Sequence, residues 1–232
     1  MFKTISFKRL DSTNDRAKQI LEPNTVIMAE EQLKGKGRFN RNWSSSKGGI
    51  YLSLILEIKD AKDLSYLTII AAISAQKAIK EVCNLSSVIK WPNDLLYNNK
   101  KLCGILTESM IGKKKLAIVG IGINTNNEIP LSLSKKSISL NKLLKKKIDN
   151  KKIVSSLLKN FEKYFKLLKN KKYSKIISDW KKNFFLGSNI KVKTMNKNYS
   201  GIAYDIDKDC FLIIKDKYGK KITIKEGDIF LE

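Results

Sequence analysis

The sequence contains no histidine among its 232 residues. This absence excludes Ser-His-Asp triads, histidine general bases and histidine metal ligands. The cysteines are few and scattered, at Cys83, Cys103 and Cys210, with no CxxC pair. A disulfide framework or a structural zinc site is therefore not expected, and reduced thiols are the default.

Long apolar runs are also missing. The first fifteen residues, MFKTISFKRLDSTND, lack the apolar centre of a signal peptide, and no run elsewhere reaches the length of a membrane span. The sequence thus predicts a cytoplasmic protein without a membrane partner. An apolar fraction of 42%, with nine Phe and three Trp, indicates a packed core.

Acidic residues are scarce, with 22 Asp and Glu against 46 Lys and Arg and a formal charge of +24. This excess raises the hypothesis of a nucleic-acid-binding protein. The lysines, however, are spread along the whole chain. A general drift of the composition toward lysine explains this even distribution without a nucleic-acid-binding surface. A binding surface would require the basic residues to cluster on one face.

Hydrophobic patterning predicts an α+β fold with a mixed or antiparallel sheet covered by helices. Ser12 or Thr13 reads as a helix N-cap with Asp15 in the first turn, and a hairpin is expected to turn at Asn98-Asn99. No prediction is made for 131–150. Strands are expected at 2–7, 25–32, 49–58, 87–91, around the hairpin and at 116–124, and helices at 64–82, 153–168 and 173–180.

After Gly187, four short strands separated by turns predict a small β-barrel, which divides the chain into domains 1–186 and 187–232.

The loop GKGRFNRNW, from Gly35 to Trp43, combines two glycines with three cationic residues. Its backbone N–H groups and guanidinium forks can approach an anion. The spacing fits neither the P-loop nor the GxGxxG fingerprint. A mobile solvated loop is an equally good interpretation of this stretch alone.

Two further stretches have unusual chemistry. In KWPNDLL, Pro92 stiffens a strand end and holds Lys90, Asn93 and Asp94 on a rigid framework, and the hairpin is expected to bring Lys101 back beside Asn93 and Asp94. GIGIN places two glycines within a strand, where they normally weaken it. They indicate either the close approach of a ligand or a bulge.

Five segments, STN, EEQLKGKGRFNRNW, KWPNDLL, KLCGILTE and VGIGIN, occur in an order and at spacings that resemble the biotin–protein ligases. GIAYDIDKDCFLIIKD resembles that family's small C-terminal SH3-like barrel, and the resemblance covers nearly the whole chain. It implies a class II synthetase-like catalytic domain. It also implies a two-step reaction, in which biotin and ATP give biotinyl-5′-adenylate and a lysine of a carrier protein then attacks the adenylate.

The resemblance also implies the roles of individual residues. Biotin contacts are implied for Ser12, Thr13, Asn14, Gln32, Lys36, Gly37, Arg38, Lys101, Gly120 and Gly122. Nucleotide or adenylate contacts are implied for Arg38, Arg41, Trp43, Asn93, Lys101 and Asn124. Lys101, Arg38 and Asp94 are the catalytic candidates. Asp94 is either a partner of Mg²⁺, which would accompany ATP, or an acceptor for the incoming lysine amine, and no other metal ligand is identified.

The resemblance has consequences for partners as well. It implies the biotin carboxyl carrier protein of acetyl-CoA carboxylase as acceptor, and it allows a homodimer. Relatives that act as repressors carry an N-terminal helix-turn-helix, but here STN is reached by residue 12. We therefore expect the monofunctional type, without specific DNA binding.

The loop departs from the family pattern, which is near GRGRRGRxW. Lys36 keeps the positive charge but loses the bidentate fork of arginine. Phe39 removes a charge, and Asn40 can replace glycine at a positive φ. We expect retained activity with a weaker hold on the adenylate. Three alternatives remain open, namely a lipoate-type ligase of the same fold, a basic nucleic-acid-binding protein and a non-catalytic relative.

Overall fold

We describe the protein from a computed structural model, in which residues 2–112 and 114–231 are described. The strands are β1 Lys3–Leu10, β2 Thr25–Gln32, β3 Ile50–Glu57, β4 Val88–Lys90, β5 Asp94–Tyr97, β6 Lys100–Ile111, β7 Lys115–Ile123, β8 Asn189–Lys193, β9 Asn198–Ile206, β10 Leu212–Lys215, β11 Lys221–Ile224 and β12 Asp228–Leu231. The helices are α1 Thr13–Ile20, α2 Asp63–Cys83, α3 Leu140–Leu144, α4 Asn150–Lys169 and α5 Tyr173–Lys181.

The main sheet has seven strands in the order β1-β2-β3-β7-β6-β5-β4. β1 and β2 pair in parallel, and the remaining neighbours are antiparallel. The mixed sheet expected from the sequence is therefore confirmed. β3 and β7 lie at its centre and are buried along almost their whole length, as their continuous apolar sequences require.

α1 begins where the sequence predicts. The Ser12 side chain accepts a hydrogen bond from the Asp15 N–H (3.3 Å), which satisfies one of the free donors at the helix start. Leu21 ends the helix in the left-handed region. As a result, Thr13 and Asn14 are buried in the first turn of α1.

α2 covers the sheet and is itself covered by α4. Twelve of its residues are buried, and alanines at 71, 72, 75 and 78 let its neighbours pack closely. Each fully buried Leu or Ile stabilises the fold by about 1.5–3 kcal/mol relative to exposure. α2 thus supports one face of the sheet, and α1 packs on the other face, where the site lies beside its first turn. No helix of the described residues is long and apolar enough to cross a membrane.

The hairpin between β5 and β6 turns at Asn98 and Asn99, with φ values of 46° and 60°. Two successive residues of positive φ are typical of a type I′ turn, and the predicted hairpin is confirmed. The stretch without a prediction, 131–150, contains a single 3₁₀ turn at Leu131–Leu133 and the short helix α3.

The C-terminal strands form a second sheet in the order β11-β10-β9-β8-β12. The sequence predicted four of these strands and missed β12, which is only four residues long and follows a charged turn. β11 and β12 lie at the two ends of this sheet and, among the described residues, do not pair with each other, so the SH3-like unit is an open sheet rather than a closed barrel. Trp91 Nε1 donates to the Cys210 carbonyl (3.0 Å) and joins this sheet to the main body. We propose Gly187, at φ 86°, as the domain boundary.

Candidate active site

A cavity of about 130 Å³ lies where the start of α1, the 35–43 loop and the centre of the main sheet meet. It gathers almost all of the residues singled out in the sequence. It is lined by Ser12, Thr13, Asn14, Gln32, Lys36, Gly37, Arg38, Arg41, Asn42, Trp43, Asn93, Asp94, Lys101, Gly104, Ile105, Leu106, Gly120, Ile121, Gly122 and Asp228. Segments that are distant in sequence therefore share one concave site.

One end of the cavity is built from neutral polar groups. The Thr13 N–H donates to Gln32 Oε1 (2.7 Å), and Gln32 Nε2 donates to Ser45 Oγ (2.8 Å). Ser53 Oγ lies 2.8 Å from Thr13 Oγ1 and 2.6 Å from Asn14 Oδ1. Since a hydroxyl has one proton, Ser53 can donate to only one of these oxygens, and the other retains acceptor capacity for a ligand.

Asn14 is held from its other side by β6. Its Nδ2 donates to Glu108 Oε2 (2.7 Å), and Lys18 binds the second carboxylate oxygen of Glu108 (2.7 Å). These contacts fix the orientation of the amide. The neutral end is consequently ordered by its own hydrogen-bond network.

The glycines of β7 make room for site side chains. A Cβ at Gly120 would overlap Asn14 Oδ1, and one at Gly122 would overlap the Trp43 indole. The register of β7 with β3 and β6 is continuous through both positions, and the bulge interpretation is therefore wrong. The close approach is that of Asn14 and Trp43, which pack against these glycines at the cavity wall.

The 35–43 loop contains a short turn at Arg38–Asn40 in which Phe39 and Asn40 both have φ 54°. Asn40 tolerates this conformation, as the sequence suggested, whereas a bulky side chain such as Phe39 is strained there. The Phe39 ring lies 4.7 Å from the Arg38 guanidinium carbon and 5.4 Å from that of Arg41. Phe39 thus supplies no charge but holds both arginines by cation–π contact.

The loop cations are all paired with carboxylates. Lys36 Nζ lies 2.7 Å from Asp15, and this hydrogen bond raises the pKa of Lys36. Arg41 forms an ion pair with Asp228 of β12, and Arg38 lies 3.9 Å from the same carboxylate. Burial lowers the pKa of Arg38, an effect that Asp228 opposes.

Lys101 and Asp94 form the ion pair expected from the hairpin, with Nζ and Oδ1 2.7 Å apart. Asp94 Oδ1 is buried and accepts no hydrogen bond in the part of the chain that the structure describes, so its close partner is the Lys101 charge. Asn93 accepts from Arg38 Nη1 (3.3 Å) and donates to the Ile105 carbonyl (2.7 Å). Lys90, close by, has its pKa lowered by burial.

Trp43 forms part of the cavity wall. Lys101 Nζ lies 5.1 Å from the centroid of its ring, and the ring covers Gly104 and Gly122. Its Nε1 is buried and has no hydrogen-bond partner among the described residues. A buried donor without a partner is costly, and it marks a position where a ligand acceptor would stabilise the site.

Asn124 is the one predicted site residue that does not line the cavity. It is buried, its Nδ2 donates to the Lys101 carbonyl (3.3 Å), and its Oδ1 accepts from Asn127 (3.1 Å). Its side chain supports the backbone of Lys101. A contact between Asn124 and nucleotide phosphates stays a prediction.

Sequence reasoning missed Ser53, Glu108 and Asp228. Ser53 interrupts the apolar run YLSLILE, and a single serine inside a buried strand was an available signal. Glu108 and Asp228 gave no local signal because their partners are 94 and 187 residues away.

Cys103 is fully buried, and burial raises the pKa of its thiol, which favours a packing role.

Sequence comparison identifies relatives over most of the chain. Residues 6–126 match the Biotin/lipoate A/B protein ligase family, and residues 185–232 match the Biotin protein ligase C terminal domain. The bifunctional ligase/repressor BirA of Bacillus subtilis is 33% identical over 234 residues, which cover 96% of this chain and 72% of that protein. The biotin–[acetyl-CoA-carboxylase] ligase of Mycobacterium tuberculosis is 26% identical over 212 residues, covering 88% and 77%.

Structural comparison agrees. The biotin protein ligase of Aquifex aeolicus, solved in complex with biotin and ATP, superposes with a TM-score of 0.90 at 30% identity. The match covers 100% of this chain and 99% of that one.

Proposed function

The chain belongs to the biotin/lipoate A/B protein ligase family, and on that premise we propose that it is an ATP-dependent biotin–protein ligase. It converts biotin and ATP into biotinyl-5′-adenylate and pyrophosphate. It then transfers biotin to a lysine of a carrier protein and releases AMP. The observation that carries this proposal is one cavity with a neutral hydrogen-bonding end and a basic end.

The neutral end suits the ureido group of biotin. A ureido group offers two N–H donors and one strong acceptor. Thr13 Oγ1 and Asn14 Oδ1 share one donor, Ser53, and therefore have acceptor capacity for the ureido N–H groups. At the start of α1 the N–H groups of Thr13 and Asp15 are already bonded within the fold, which leaves the Asn14 N–H as the candidate backbone donor to the ureido oxygen.

The basic end suits the step in which a carboxylate attacks an anionic phosphate. Both reactants are negative, so catalysis must be largely electrostatic. Lys101, Arg38 and Arg41 hold the carboxylate and the α-phosphate, and Lys36 contributes further positive charge. Each of these cations leaves an acidic partner when the ligand arrives, because each is ion-paired in its absence.

Magnesium accompanies ATP in this proposal. Mg²⁺ commonly binds through substrate phosphates and only one or two protein carboxylates. Within residues 2–112 and 114–231 no cluster of three acidic or sulfur ligands exists, which fits an ion held mainly by the nucleotide. Asp94 lies beside Lys101 and is the carboxylate that would hold the Mg²⁺ ion. The ion would neutralise part of the phosphate charge at that point.

The acceptor in this proposal is the biotin carboxyl carrier protein of acetyl-CoA carboxylase, in keeping with the names of the Mycobacterium tuberculosis and Paracoccus denitrificans relatives. Homodimerisation, a cytoplasmic location and the absence of specific DNA binding stay predictions from the sequence.

A direct test compares biotin with lipoate in ATP–pyrophosphate exchange. Lipoate has no ureido group and would leave the buried polar groups of the neutral end without ligand partners, which a site of this kind rejects strongly. We expect exchange with biotin and little with lipoate. Faster exchange with lipoate would assign the chain to the other branch of the family, and no exchange with either acid would contradict a ligase function.

A further inference from the structure

The positive charge of the chain is less evenly distributed than the spread of its lysines suggests. Residues 131–186, which contain α3, α4 and α5, hold 17 lysines and 3 acidic residues, a net charge of +14. The other 176 residues hold 29 basic and 19 acidic residues, a net charge of +10. Because an electrostatic footprint requires basic residues on one face, the positions of these lysines in the fold decide what the cluster does.

The outward side of α4 is a row of lysines. The helix makes one turn every 3.6 residues, so its lysines fall within an arc of about 120°, and all of them are exposed. The buried residues of α4 lie on the opposite side of the helix. From the first lysine to the last, the row is about 27 Å long. The basic face of α4 consists of Lys151, Lys152, Lys159, Lys163, Lys166 and Lys169.

Further lysines continue the basic face, and few carboxylates compensate it. The segment 142–147 carries four exposed lysines just before the helix. One of them, Lys146, lies close enough to the end of α2 for its charge to oppose the rise in the pKa of Cys83 that burial causes. Among these ten lysines, only Lys166 has a carboxylate within ion-pair distance in the described part of the chain, namely Glu162 at 3.4 Å. The charge is therefore available to an external partner.

The basic face lies away from the active site. α1 and the active-site cavity occupy one face of the main sheet, and α2 covers the other. α4 packs on α2, so the sheet and α2 separate the basic face from the cavity. An acidic carrier protein bound to the basic face would be on the wrong side of the molecule to present its lysine. The partner therefore differs from the acceptor of the ligase reaction.

The composition of the basic face fits phosphate groups better than a protein or a membrane. Protein interfaces are centred on apolar and aromatic side chains and are depleted of lysine. No aromatic side chain is exposed between the described residues 131 and 186, which also removes the stacking platform that single-stranded nucleic acids use. A membrane-bound helix inserts its apolar side, whereas the apolar side of α4 is buried in the core.

We propose that the basic face of α4 binds the phosphate backbone of a double-stranded nucleic acid, independently of base sequence and of the ligase function. A duplex carries one negative charge about every 1.7 Å, so a row of about 27 Å faces more phosphates than it has lysines. Lysine neutralises phosphates as a point charge. Residues 131–186 contain no arginine, the side chain that most often recognises guanine through two hydrogen bonds, and this composition favours binding without sequence specificity.

The test measures binding of the full chain to a fluorescent duplex DNA of about 20 base pairs, which is longer than the row of lysines, by fluorescence anisotropy. The triple variant Lys152→Gln, Lys159→Gln, Lys163→Gln removes three charges and keeps good helix formers in α4. The control removes the same charge from exposed lysines outside residues 131–186, with the substitutions Lys59→Gln, Lys217→Gln and Lys220→Gln. A second series adds saturating biotin and ATP, which occupy the basic end of the active-site cavity.

For the wild type we expect a Kd of about 1–100 µM near physiological salt, the range of non-specific binding. The α4 triple variant should bind about tenfold or more weakly, and its slope of log K against log salt concentration should be smaller by about 3. The control should lose less than about threefold, since distant charges are screened. Duplexes of different sequence should bind alike, and biotin with ATP should leave every Kd unchanged.

Equal losses in the two triple variants would refute the proposal, because bulk charge rather than the basic face would then attract the duplex. Displacement of the duplex by biotin and ATP would place its binding in the active-site cavity and contradict the proposal as well. So would binding to phosphatidylglycerol vesicles without binding to the duplex, which would assign the face to a membrane, and so would no binding at low salt. None of these results concerns the ligase function, which ATP–pyrophosphate exchange tests separately and which both triple variants should retain.

Discussion

The two ends of the active-site cavity are organised in opposite ways. At the neutral end, Thr13, Asn14 and Gln32 sit on α1 and β2 and are held by hydrogen bonds within the fold, one of them from Asn14 to the Glu108 carboxylate. At the basic end, the cations of the 35–43 loop and Lys101 are held by Asp15, Asp94 and Asp228. The first end is preorganised for its ligand, whereas the second must exchange protein carboxylates for ligand anions.

This contrast predicts that the neutral end determines the affinity for biotin and that the basic end determines the rate of the reaction. Groups that already point correctly contribute binding energy at little cost in ordering. A cation that must change partner contributes only the difference in free energy between its ion pair with the ligand and its ion pair with the protein carboxylate. That difference can be largest in the transition state. Substitutions at the neutral end should therefore affect biotin binding, and those at the basic end should affect rate and nucleotide handling.

The largest effect is expected for Lys101→Ala. Removing one cation aimed at developing charge lowers kcat for adenylate formation by about 100- to 1000-fold. The measurement is ATP–pyrophosphate exchange at saturating biotin. Lys100→Ala is the control, because its ammonium donates to the Ser134 carbonyl outside the cavity lining, and equal losses in both variants would refute the assignment.

Gly120→Ala tests the neutral end. The added methyl must displace Asn14 Oδ1, and disturbing that hydrogen-bond network costs about 2 kcal/mol, or about 30-fold in the Kd for biotin. Isothermal titration calorimetry with biotin measures this change in Kd. Gly112→Ala is the matched control, since a Cβ there meets nothing within 4 Å. If kcat falls while the Kd is unchanged, the division between the two ends is wrong.

Trp43→Phe removes the unpaired indole N–H and keeps an aromatic ring. We expect the adenylate to dissociate about fivefold faster, the equivalent of about 1 kcal/mol for one hydrogen bond. Trp180→Phe removes another buried N–H, in the core, that has no hydrogen-bond partner within residues 2–112 and 114–231. That variant should lower the Tm and leave adenylate release unchanged, and faster release there would point to a global effect.

Phe39→Leu tests whether the aromatic ring organises the basic end. Loss of two partly exposed cation–π contacts, each worth about 0.5–1 kcal/mol, should raise the KM for ATP about threefold or more. Phe39→Tyr keeps the ring and should behave as the wild type. A leucine variant with unchanged KM would mean that the arginines are positioned by Asp228, Asn93 and the Gly227 carbonyl without help from the ring.

The smallest effect is expected for Asp228→Asn. Without this competitor, Arg38 and Arg41 are free for the phosphates, and the KM for ATP should fall about twofold, the scale of an exposed ion pair. Asp205→Asn is the control, as it removes an ion pair with Lys181 elsewhere in the same sheet. A higher KM would mean that Asp228 positions the arginines rather than competing for them.

The features predicted correctly from the sequence depend on local chemistry. The Ser12 cap and the Asn98-Asn99 turn each follow from a few neighbouring residues, and the antiparallel pairing of β5 with β6 and of β6 with β7 follows from short connections. The cavity location of the loop and of the KWPND segment and the nearness of Lys101 to Asp94 were also anticipated, the last because the hairpin returns the chain beside itself, although Lys101 pairs in register with Leu96 and not with Asp94.

The remaining features depend on contacts between distant segments. Glu108 meets Asn14 and Asp228 meets Arg41 only after both sheets have formed, and no local pattern encodes such pairs. The glycines of GIGIN were interpreted from their own strand, whereas the atoms that exclude a side chain belong to α1 and the loop. The positive φ of Phe39 likewise contradicts its local preference.

The contact between the Trp43 indole and the strand glycines has an evolutionary consequence. A Cβ at Gly104 would lie 2.9 Å from the ring, and one at Gly122 would overlap it. Replacing either glycine first passes through a clash with the ring, whereas shrinking the tryptophan first removes that clash at both positions and leaves only the flexible Lys101 side chain, 2.9 Å away, to move aside at Gly104. The order in which a lineage can accept substitutions is thereby restricted, and we expect descendants that lose the glycines to have lost the tryptophan before them.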